Sequence, residues 1–268
     1  MTGWQFWIDR GGTFTDIVAK RPDGALISHK LLSENPGRYD DAALRGIRDV
    51  LGLDAEAPLG LAPIDAVKMG TTVATNALLE RRGERTVLAI TEGFADALRI
   101  GTQNRPRLFD REIVLPEMLY EHVVEIEERV DARGAVLRPV NLAAARSALA
   151  AAAESGIRSC AVVLMHGYRY PAHEQAIADL ARDLGFDQVS ASHRVSPLMK
   201  LISRGDTTVT DAYLSPILRR YVDRVAAALG ETLLMFMQSN GGLTDARRFQ
   251  GKDSILSGPA GGVVGAVR

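Results

Sequence analysis

The residues best suited to chemistry lie in a short glycine turn near the N-terminus, which reads Asp9-Arg10-Gly11-Gly12-Thr13-Phe14-Thr15-Asp16. Two adjacent glycines let backbone N–H groups come close to a bulky anion, because no Cβ blocks the approach. A nucleotide phosphate with Mg²⁺ would use the whole segment, with N–H groups and Thr13 on phosphate oxygens and Asp9 or Asp16 on metal-bound water. A tight hairpin turn with ordinary turn residues explains the same segment equally well.

Three later segments combine small residues with hydroxyls. The run from Met69 to Asn76 is predicted to end a strand and open a helix, which favours an anion site, although plain N-capping by Thr71 or Thr72 accounts for it too. The segment 257–262 is predicted to join a strand to a helix through small residues, which suits either close approach to a nucleotide or tight helix packing. The glycine pair after Asn240 fits a plain turn.

The elements that position these segments alternate along the chain. A turn at 21–24 separates two apolar runs, so the first thirty-odd residues are predicted to form a three-stranded antiparallel meander. The alternation of strands and helices that follows predicts a layered α/β fold, and the apolar run 159–165 predicts a strand buried on both faces. Further strands are predicted at 66–69, 86–90, 123–129, 188–191, 232–237 and 254–256, and helices at 39–51, 73–82, 94–98, 142–155, 172–184 and 207–229.

Composition excludes several classes of protein. The chain has 268 residues, of which 46% are hydrophobic and 24% charged, with a net charge of −1, which is typical of a globular protein of one large or two modest domains. The near-neutral charge and the 6% of aromatic residues argue against a nucleic-acid surface. Neither a signal segment nor an apolar run of membrane-spanning length is present, so we expect a soluble, cytoplasmic protein that has no membrane partner.

Other titratable residues give weaker signals. The single cysteine, Cys160, lies in an apolar run and is expected to be a buried structural thiol. The five histidines show no metal-ligand spacing, so no zinc site is expected. The pair His173 and Glu174 is expected to be exposed in a first helical turn, and the carboxylates of 125–129 are expected to be solvated. The Walker A, serine-hydrolase and dinucleotide-binding motifs are not found.

A glycine turn between two antiparallel strands is how the actin, Hsp70 and sugar-kinase ATPases hold phosphates, and the segment Asp9–Asp16 resembles their first phosphate loop. Taken with 69–81 and 257–263, it resembles the hydantoinase A/5-oxoprolinase family. The segments 31–36 and 101–110 strengthen the resemblance to its ATP-dependent oxoprolinase branch. The match runs in order over essentially the whole chain.

The resemblance implies an α/β fold, namely an actin-like (ribonuclease H-like) ATPase lobe with a mixed sheet and flanking helices. It divides the chain into an N-terminal domain, 1–205, and the start of a main domain, 206–268. It implies ATP and Mg²⁺ as cofactors and a reaction in which 5-oxoproline is opened to glutamate after phosphorylation of the lactam oxygen. Because the actin-like ATPases bring two phosphate loops together and this chain carries one, we expect the chain to be the N-terminal part of a larger protein, inactive by itself.

The family resemblance also implies roles for particular residues. Asp9 and Asp16 are the expected catalytic carboxylates, and Asp9 is the expected Mg²⁺ ligand, directly or through water. Arg105 and Arg107 form a candidate clamp for the substrate carboxylate, although a solvated basic loop fits them equally. The expected nucleotide-binding residues are Gly11, Gly12, Thr13, Gly70, Thr71, Thr72, Asn76, Gly241, Gly242, Gly258, Gly261 and Gly262.

The implied partners are a small cyclic amide substrate, further polypeptide or a partner subunit that completes the ATP site, and further copies of the chain in a homo-oligomer. Three alternatives stay open. The chain could belong to a hydantoin-hydrolysing relative, to the ATP-using subunit of a ketone carboxylase, or to a non-catalytic nucleotide-binding module.

Overall fold

The structure is a computed structural model that describes residues 3–102 and 109–267. The chain divides into two compact units. Unit 1 consists of Met1–Glu80 and Ile217–Arg268, and unit 2 consists of Arg81–Pro216. The expected boundary between 205 and 206 rests on sequence resemblance and stays a prediction.

The described residues form strands and helices that alternate for most of the chain, as predicted. In chain order they are β1 (Trp4–Arg10), β2 (Phe14–Lys20), β3 (Leu26–Leu32), α1 (Ala42–Leu51), β4 (Ile64–Thr71), α2 (Val73–Leu79), β5 (Thr86–Thr91), α3 (Ala97–Ile100), β6 (His122–Ile126), β7 (Arg129–Val130), β8 (Val136–Arg138), α4 (Leu142–Glu154), β9 (Ser159–Val163), α5 (Ala172–Asp183), β10 (Gln188–Ala191), α6 (Ser192–Val195), α7 (Leu201–Leu229), β11 (Leu233–Met237), β12 (Leu243–Asp245), α8 (Gly251–Ser254) and α9 (Ser257–Val267). The mixed α/β class is confirmed.

Unit 1 is built on a six-stranded mixed sheet in the order β12-β11-β4-β1-β2-β3. Strands β1, β2 and β3 form the predicted antiparallel meander, while β4 runs parallel to β1 and β11 runs parallel to β4. Side chains alternate across the sheet, so Phe6, Ile8 and Ile17 face a core that α1 and the later part of α7 cover. Three neighbouring parallel strands therefore end at one edge of this sheet.

Helix α1 shows how closely that core is packed. Asp41 caps its N-terminus by accepting a hydrogen bond from the Leu44 N–H at 3.0 Å, and Gly52 ends it with a φ of 68°. A Cβ added to Gly46 would lie 2.2 Å from the Ile17 side chain. The glycine in the middle of the helix thus lets the helix backbone approach the sheet directly.

Unit 2 contains a four-stranded parallel sheet in the order β10-β9-β5-β6. Helices α4 and α5 cover one face, and α3 with the first part of α7 covers the other. Every residue of β5 and β9 is buried, which confirms the strand predicted to be buried on both faces.

Helix α7 begins at Leu201, six residues before the predicted start, and contains Pro216. Proline has no N–H, so the carbonyl of Ala212 loses its helical donor. The Ser159 hydroxyl replaces that donor and reaches the Ala212 oxygen at 2.6 Å. A side chain from β9 therefore supports the helix where proline interrupts its hydrogen bonds.

The sequence predictions for 254–256, Glu174 and Glu128 are wrong. The strand predicted at 254–256 is absent, because Ser254 closes the helical turn of α8 with a 2.7 Å hydrogen bond to the Gly251 oxygen. Glu174 is 0% exposed, because its carboxylate accepts hydrogen bonds from Leu164 and from the adjacent residues Ser192 and His193. Glu128 is only 2% exposed, because it binds Thr91 and His173. The pattern of polar residues along the sequence does not reveal such burial, because it depends on hydrogen-bond partners that are distant in the sequence.

No helix among the described residues combines the length and the apolar character that crossing a membrane requires.

Cys160 is fully buried in β9, as expected, and burial raises the pKa of its thiol to about 12. We predict that the folded chain does not react with a thiol reagent at pH 8 and reacts once unfolded. Above pH 9 the unfolded thiol loses its proton while the folded thiol keeps it. The free energy of unfolding should therefore fall by about 1.4 kcal/mol per pH unit through this group.

The control for this prediction is Cys160→Ala, compared with the wild-type chain in denaturant titrations at several pH values. The slope attributed to the thiol should disappear in the variant, and an equal slope in both chains would contradict the assignment.

Candidate functional site

The candidate site lies in unit 1, where β1, β4 and β11 end side by side. Arg10 pairs with Thr71 across β1 and β4, and Met69 pairs with Phe236 across β4 and β11. The segments that follow these parallel strands therefore meet at one edge of the sheet, which is where open α/β sheets bind ligands. They are the glycine turn at 11–13, the start of α2 and the turn at 238–242.

The glycine turn uses one of its N–H groups internally. The Gly11 N–H donates to the Phe14 oxygen at 3.0 Å, and a Cβ on Gly11 would lie 2.8 Å from that oxygen. The N–H groups of Gly12 and Thr13 make no hydrogen bond to the described residues. These two donors are the ones that remain for an anion, while Gly11 supplies the close turn that presents them.

Ser33 fixes the shape of this turn, and we did not predict it from the sequence. Its hydroxyl donates to the Gly11 oxygen at 2.7 Å, and its N–H donates to the Thr13 oxygen at 2.9 Å. The buried Thr15 hydroxyl lies 3.0 Å from the Ser33 hydroxyl. The predicted hairpin of β2 and β3 could have indicated this role, because Phe14 pairs with Leu32 and the next residue, Ser33, therefore lies beside the turn.

The two carboxylates differ in their surroundings although they lie opposite each other on β1 and β2. Asp16 accepts two hydrogen bonds from the Lys30 ammonium, at 2.8 and 3.0 Å. The exposed Asp9 carboxylate has no hydrogen bond or ion pair among the described residues, and a Cβ on Gly70 would lie 3.3 Å from its oxygen. Of the two, Asp9 is the carboxylate available to a cation.

The hydroxyls at the start of α2 are engaged within the protein. Thr71 is fully buried and accepts from the Val73 N–H at 3.3 Å, whereas Thr72, the N-cap residue of α2, makes no side-chain capping hydrogen bond, so the expected N-capping is not found. The Thr72 hydroxyl donates to the Arg10 oxygen at 3.2 Å. Asn76 donates to the Thr72 hydroxyl at 3.3 Å, and its amide nitrogen would lie 3.3 Å from a Cβ on Gly12. These contacts join α2 to the glycine turn.

The third segment holds the other predicted glycines. Gly241 has a φ of 82° and donates to the Gln238 oxygen, and Gly242 donates to the Asn240 side chain. The predicted residues Gly258, Gly261 and Gly262 lie inside α9 rather than in a turn between strand and helix. Ser257, at the start of α9, donates to the Thr71 oxygen at 2.9 Å. The N-terminus of α9 is thereby fastened to β4.

A partly buried arginine, Arg10, lies at the end of β1, where the glycine turn begins. The Arg10 guanidinium sits 5.1 Å from the centre of the Tyr221 ring, and its Nε has no hydrogen-bond partner among the described residues. Burial, together with the nearby charge of Asp41, raises the pKa of Tyr221. Tyr221 therefore stays neutral, and the positive charge of Arg10 remains to favour an anion at the turn.

Arg105 and Arg107 lie outside the described residues. Among the residues that the structure does describe, no three histidine, cysteine or acidic side chains come together as a preformed metal site. A single carboxylate beside a phosphate is nevertheless a common way to hold Mg²⁺, which keeps most of its ligands as water and phosphate oxygens.

The mixed sheet and the glycine turn place the chain among α/β proteins whose candidate site lies where parallel strands end. The chain belongs to the hydantoinase/oxoprolinase family. The sequence model of the family's N-terminal region, described as hydantoinase/oxoprolinase N-terminal region, matches residues 5–185. A second family model, described as hydantoinase/oxoprolinase, matches residues 204–268.

The relatives include ATP-dependent enzymes. The chain is 42% identical to 5-oxoprolinase 1 of Arabidopsis thaliana, over 97% of this chain and 23% of that protein. It superposes on ATP-dependent caprolactamase from Pseudomonas jessenii with a TM-score of 0.79 and 30% identity, covering 96% of this chain and 39% of the other. It shares the fold of nucleotide-free acetone carboxylase at a TM-score of 0.81 and 22% identity, covering 99% and 40%. The chain thus spans less than half the length of these proteins.

Proposed function

We propose that this chain is the nucleotide-binding part of an ATP-dependent enzyme that opens 5-oxoproline to glutamate, and that unit 1 is one lobe of an actin-like ATPase. The observation that carries the proposal is the 42% identity to a 5-oxoprolinase over nearly the whole chain. The N–H groups of Gly12 and Thr13 and the Asp9 carboxylate, which have no partner in the part of the chain that the structure describes, support it, because they fit a phosphate with its Mg²⁺.

The chemistry explains why ATP is needed. A lactam is a poor electrophile because resonance spreads the nitrogen lone pair onto the carbonyl. In the proposed reaction the lactam oxygen attacks the γ-phosphorus of ATP and ADP leaves. Water then adds to the ring carbon, the C–N bond breaks and the nitrogen takes up a proton, which leaves an acyl phosphate. A second water displaces inorganic phosphate, and glutamate is formed.

The residues of this chain would contribute position and charge. Gly12 and Thr13 would donate to phosphate oxygens, and Asp9 would hold the Mg²⁺, which neutralises charge on the phosphates when bound. Asn76 and Thr72 would keep α2 against the turn, and Arg10 would add a fixed positive charge below it. Further polypeptide or a partner subunit would complete the ATP site, since the relatives are longer.

The test is substrate-dependent ATP hydrolysis by the complete enzyme, which contains this chain and any further polypeptide or subunit. We expect 5-oxo-L-proline to stimulate phosphate release, with one glutamate formed per phosphate, and hydantoin and acetone to have little effect. With ¹⁸O in the lactam carbonyl, the label should appear in inorganic phosphate. Stimulation by hydantoin or acetone alone would favour a related enzyme, and no stimulation by any of them would favour a binding module.

A further inference from the structure

Unit 2 holds a cluster of buried polar side chains at the carboxyl edge of its parallel sheet. Thr91 ends β5, Glu128 follows β6, and His173 stands in the first turn of α5. Thr91 is 0% exposed and Glu128 is 2% exposed, while 13% of the His173 side chain is exposed. In the sheet order β10-β9-β5-β6, the chain leaves β5 and β9 in opposite directions, and ligands of open α/β sheets bind at such a point.

The hydrogen bonds in this cluster have a defined direction. The Met165 N–H donates to the Thr91 hydroxyl at 2.9 Å, so that hydroxyl must donate onward, to Glu128 Oε1 at 2.6 Å. Glu128 Oε2 lies 2.7 Å from His173 Nδ1. A carboxylate only accepts, so Nδ1 carries a proton, and in the neutral form of such a ring Nε2 is the acceptor. Nε2 makes no hydrogen bond to the described residues.

A second Glu–His pair beside the first shows what a purely structural pair looks like. Glu174 binds the N–H groups of Leu164 and His193 and the Ser192 hydroxyl in addition to His193 Nδ1, and so ties three segments together. The buried Glu128 carboxylate, in contrast, makes hydrogen bonds only to Thr91 and His173 among the described residues. Fixing the tautomer of an imidazole in this way is how proteins prepare a histidine to bind a ligand.

The turn beside His173 is held rigidly. The buried Arg204 donates to the oxygens of Leu164 and Met165 at 2.6 and 3.0 Å, and Thr91 holds the Met165 N–H. A rigid surrounding is what a binding residue needs to keep its geometry. The ligand must offer a donor to Nε2, and the N–H groups that open α5 next to it favour a partial negative charge. A cyclic amide presents an N–H and a carbonyl oxygen side by side.

We propose that His173 Nε2 accepts a hydrogen bond from the N–H of a cyclic amide, and that Glu128 and Thr91 are positioning residues that set its tautomer. This inference rests on the proposed function and assigns a residue of unit 2 to the recognition of its substrate class.

The test compares 5-oxo-L-proline with its N-methyl analogue, which lacks the donor, in binding titrations on the 268-residue chain. The wild-type chain should bind the N–H compound about tenfold more tightly, which is the effect of gaining one hydrogen bond. His173→Ala should bind both compounds equally. His122→Ala, an exposed histidine at the amino end of β6, is the matched control and should keep the wild-type preference.

Glu128→Gln gives a second variant of the same shape. Thr91 donates to Oε1, so the amide oxygen takes that place and the amide NH₂ faces His173. The NH₂ then donates to Nδ1, the proton moves to Nε2, and the ring no longer accepts from the ligand. Nitrogen chemical shifts of labelled histidine should report this exchange of tautomers, and the preference for the N–H compound should vanish although the chain remains folded.

Two results would overturn the inference: a preference for the N–H compound that survives in His173→Ala or Glu128→Gln, or no binding to the wild-type chain at about 10 mM ligand. Its failure is separable from that of the proposed function. If the complete enzyme hydrolyses ATP in response to 5-oxoproline but both variants keep the preference, only the inference fails. If that response is missing, the proposed function fails.

Discussion

Replacing Asp9 by asparagine is expected to lower ATP turnover by the complete enzyme about 100- to 1,000-fold, the size of effect seen when one preorganised charge-stabilising group is removed. The carboxylate lies exposed beside Gly70 and has no partner among the described residues, so its charge is available to a cation. For the same reason the variant should fold normally, with a free energy of unfolding within about 0.5 kcal/mol of the wild type. Steady-state phosphate release and denaturant titration measure the two quantities.

The matched control is Asp23→Asn, the same substitution in the turn between β2 and β3. Asp23 accepts from the Ala25 N–H at 2.9 Å, and asparagine keeps that contact. Turnover should be unchanged there. Asp16→Asn should fall between the two, because Lys30 already occupies that carboxylate. Equal turnover in Asp9→Asn and wild type would remove Asp9 from the site.

The largest effect on stability is expected for Arg204→Met. Arg204 is 0% exposed, and its guanidinium donates to four backbone oxygens, those of Leu164, Met165, Leu198 and Met199, and to the Ser192 hydroxyl. Methionine keeps much of the aliphatic stem but leaves these acceptors and the buried Glu174 charge without a cation. Loss of one partner in a buried charged network costs about 3–5 kcal/mol.

The control for this stability prediction is Arg182→Met in α5, where the arginine pairs with Asp179 at the surface. Exposed pairs contribute between 0 and about 1 kcal/mol, so this variant should differ little from the wild type. Denaturant unfolding of the 268-residue chain distinguishes the two. A loss below about 1 kcal/mol for Arg204→Met would mean that the guanidinium does not hold the turn after β9.

Most of the fold could be predicted from local patterns. Turn residues between short apolar runs predicted the β1–β3 meander, and continuous apolar runs predicted β5 and β9. Both patterns are local, because the faces of a strand that are buried determine which of its residues are apolar. The first six residues of α7 were not predicted. They include Arg204, which is buried, and the sequence does not distinguish a buried arginine from an exposed one. The strand predicted at 254–256 was wrong because a segment of three residues, of which only Ile255 and Leu256 are apolar, is too short to distinguish a strand from a helix.

The candidate site divides in the same way. The glycine turn and Asp9 could be identified from the sequence because both act through their own backbone or charge. Ser33 could not, because its role depends on pairing between β2 and β3. Nor could the difference between Asp9 and Asp16, which is set by Lys30 on the neighbouring strand. The role of a residue that acts through a partner distant in the sequence can be identified only from the structure.

The most direct measurement is a structure of the complete enzyme with Mg²⁺ and a non-hydrolysable ATP analogue. We expect phosphate oxygens within hydrogen-bond distance of the Gly12 and Thr13 N–H groups, and the metal or one of its waters on the Asp9 carboxylate. Phosphates bound elsewhere, with the turn at 11–13 free of ligand, would contradict the proposal that this glycine turn is a phosphate loop.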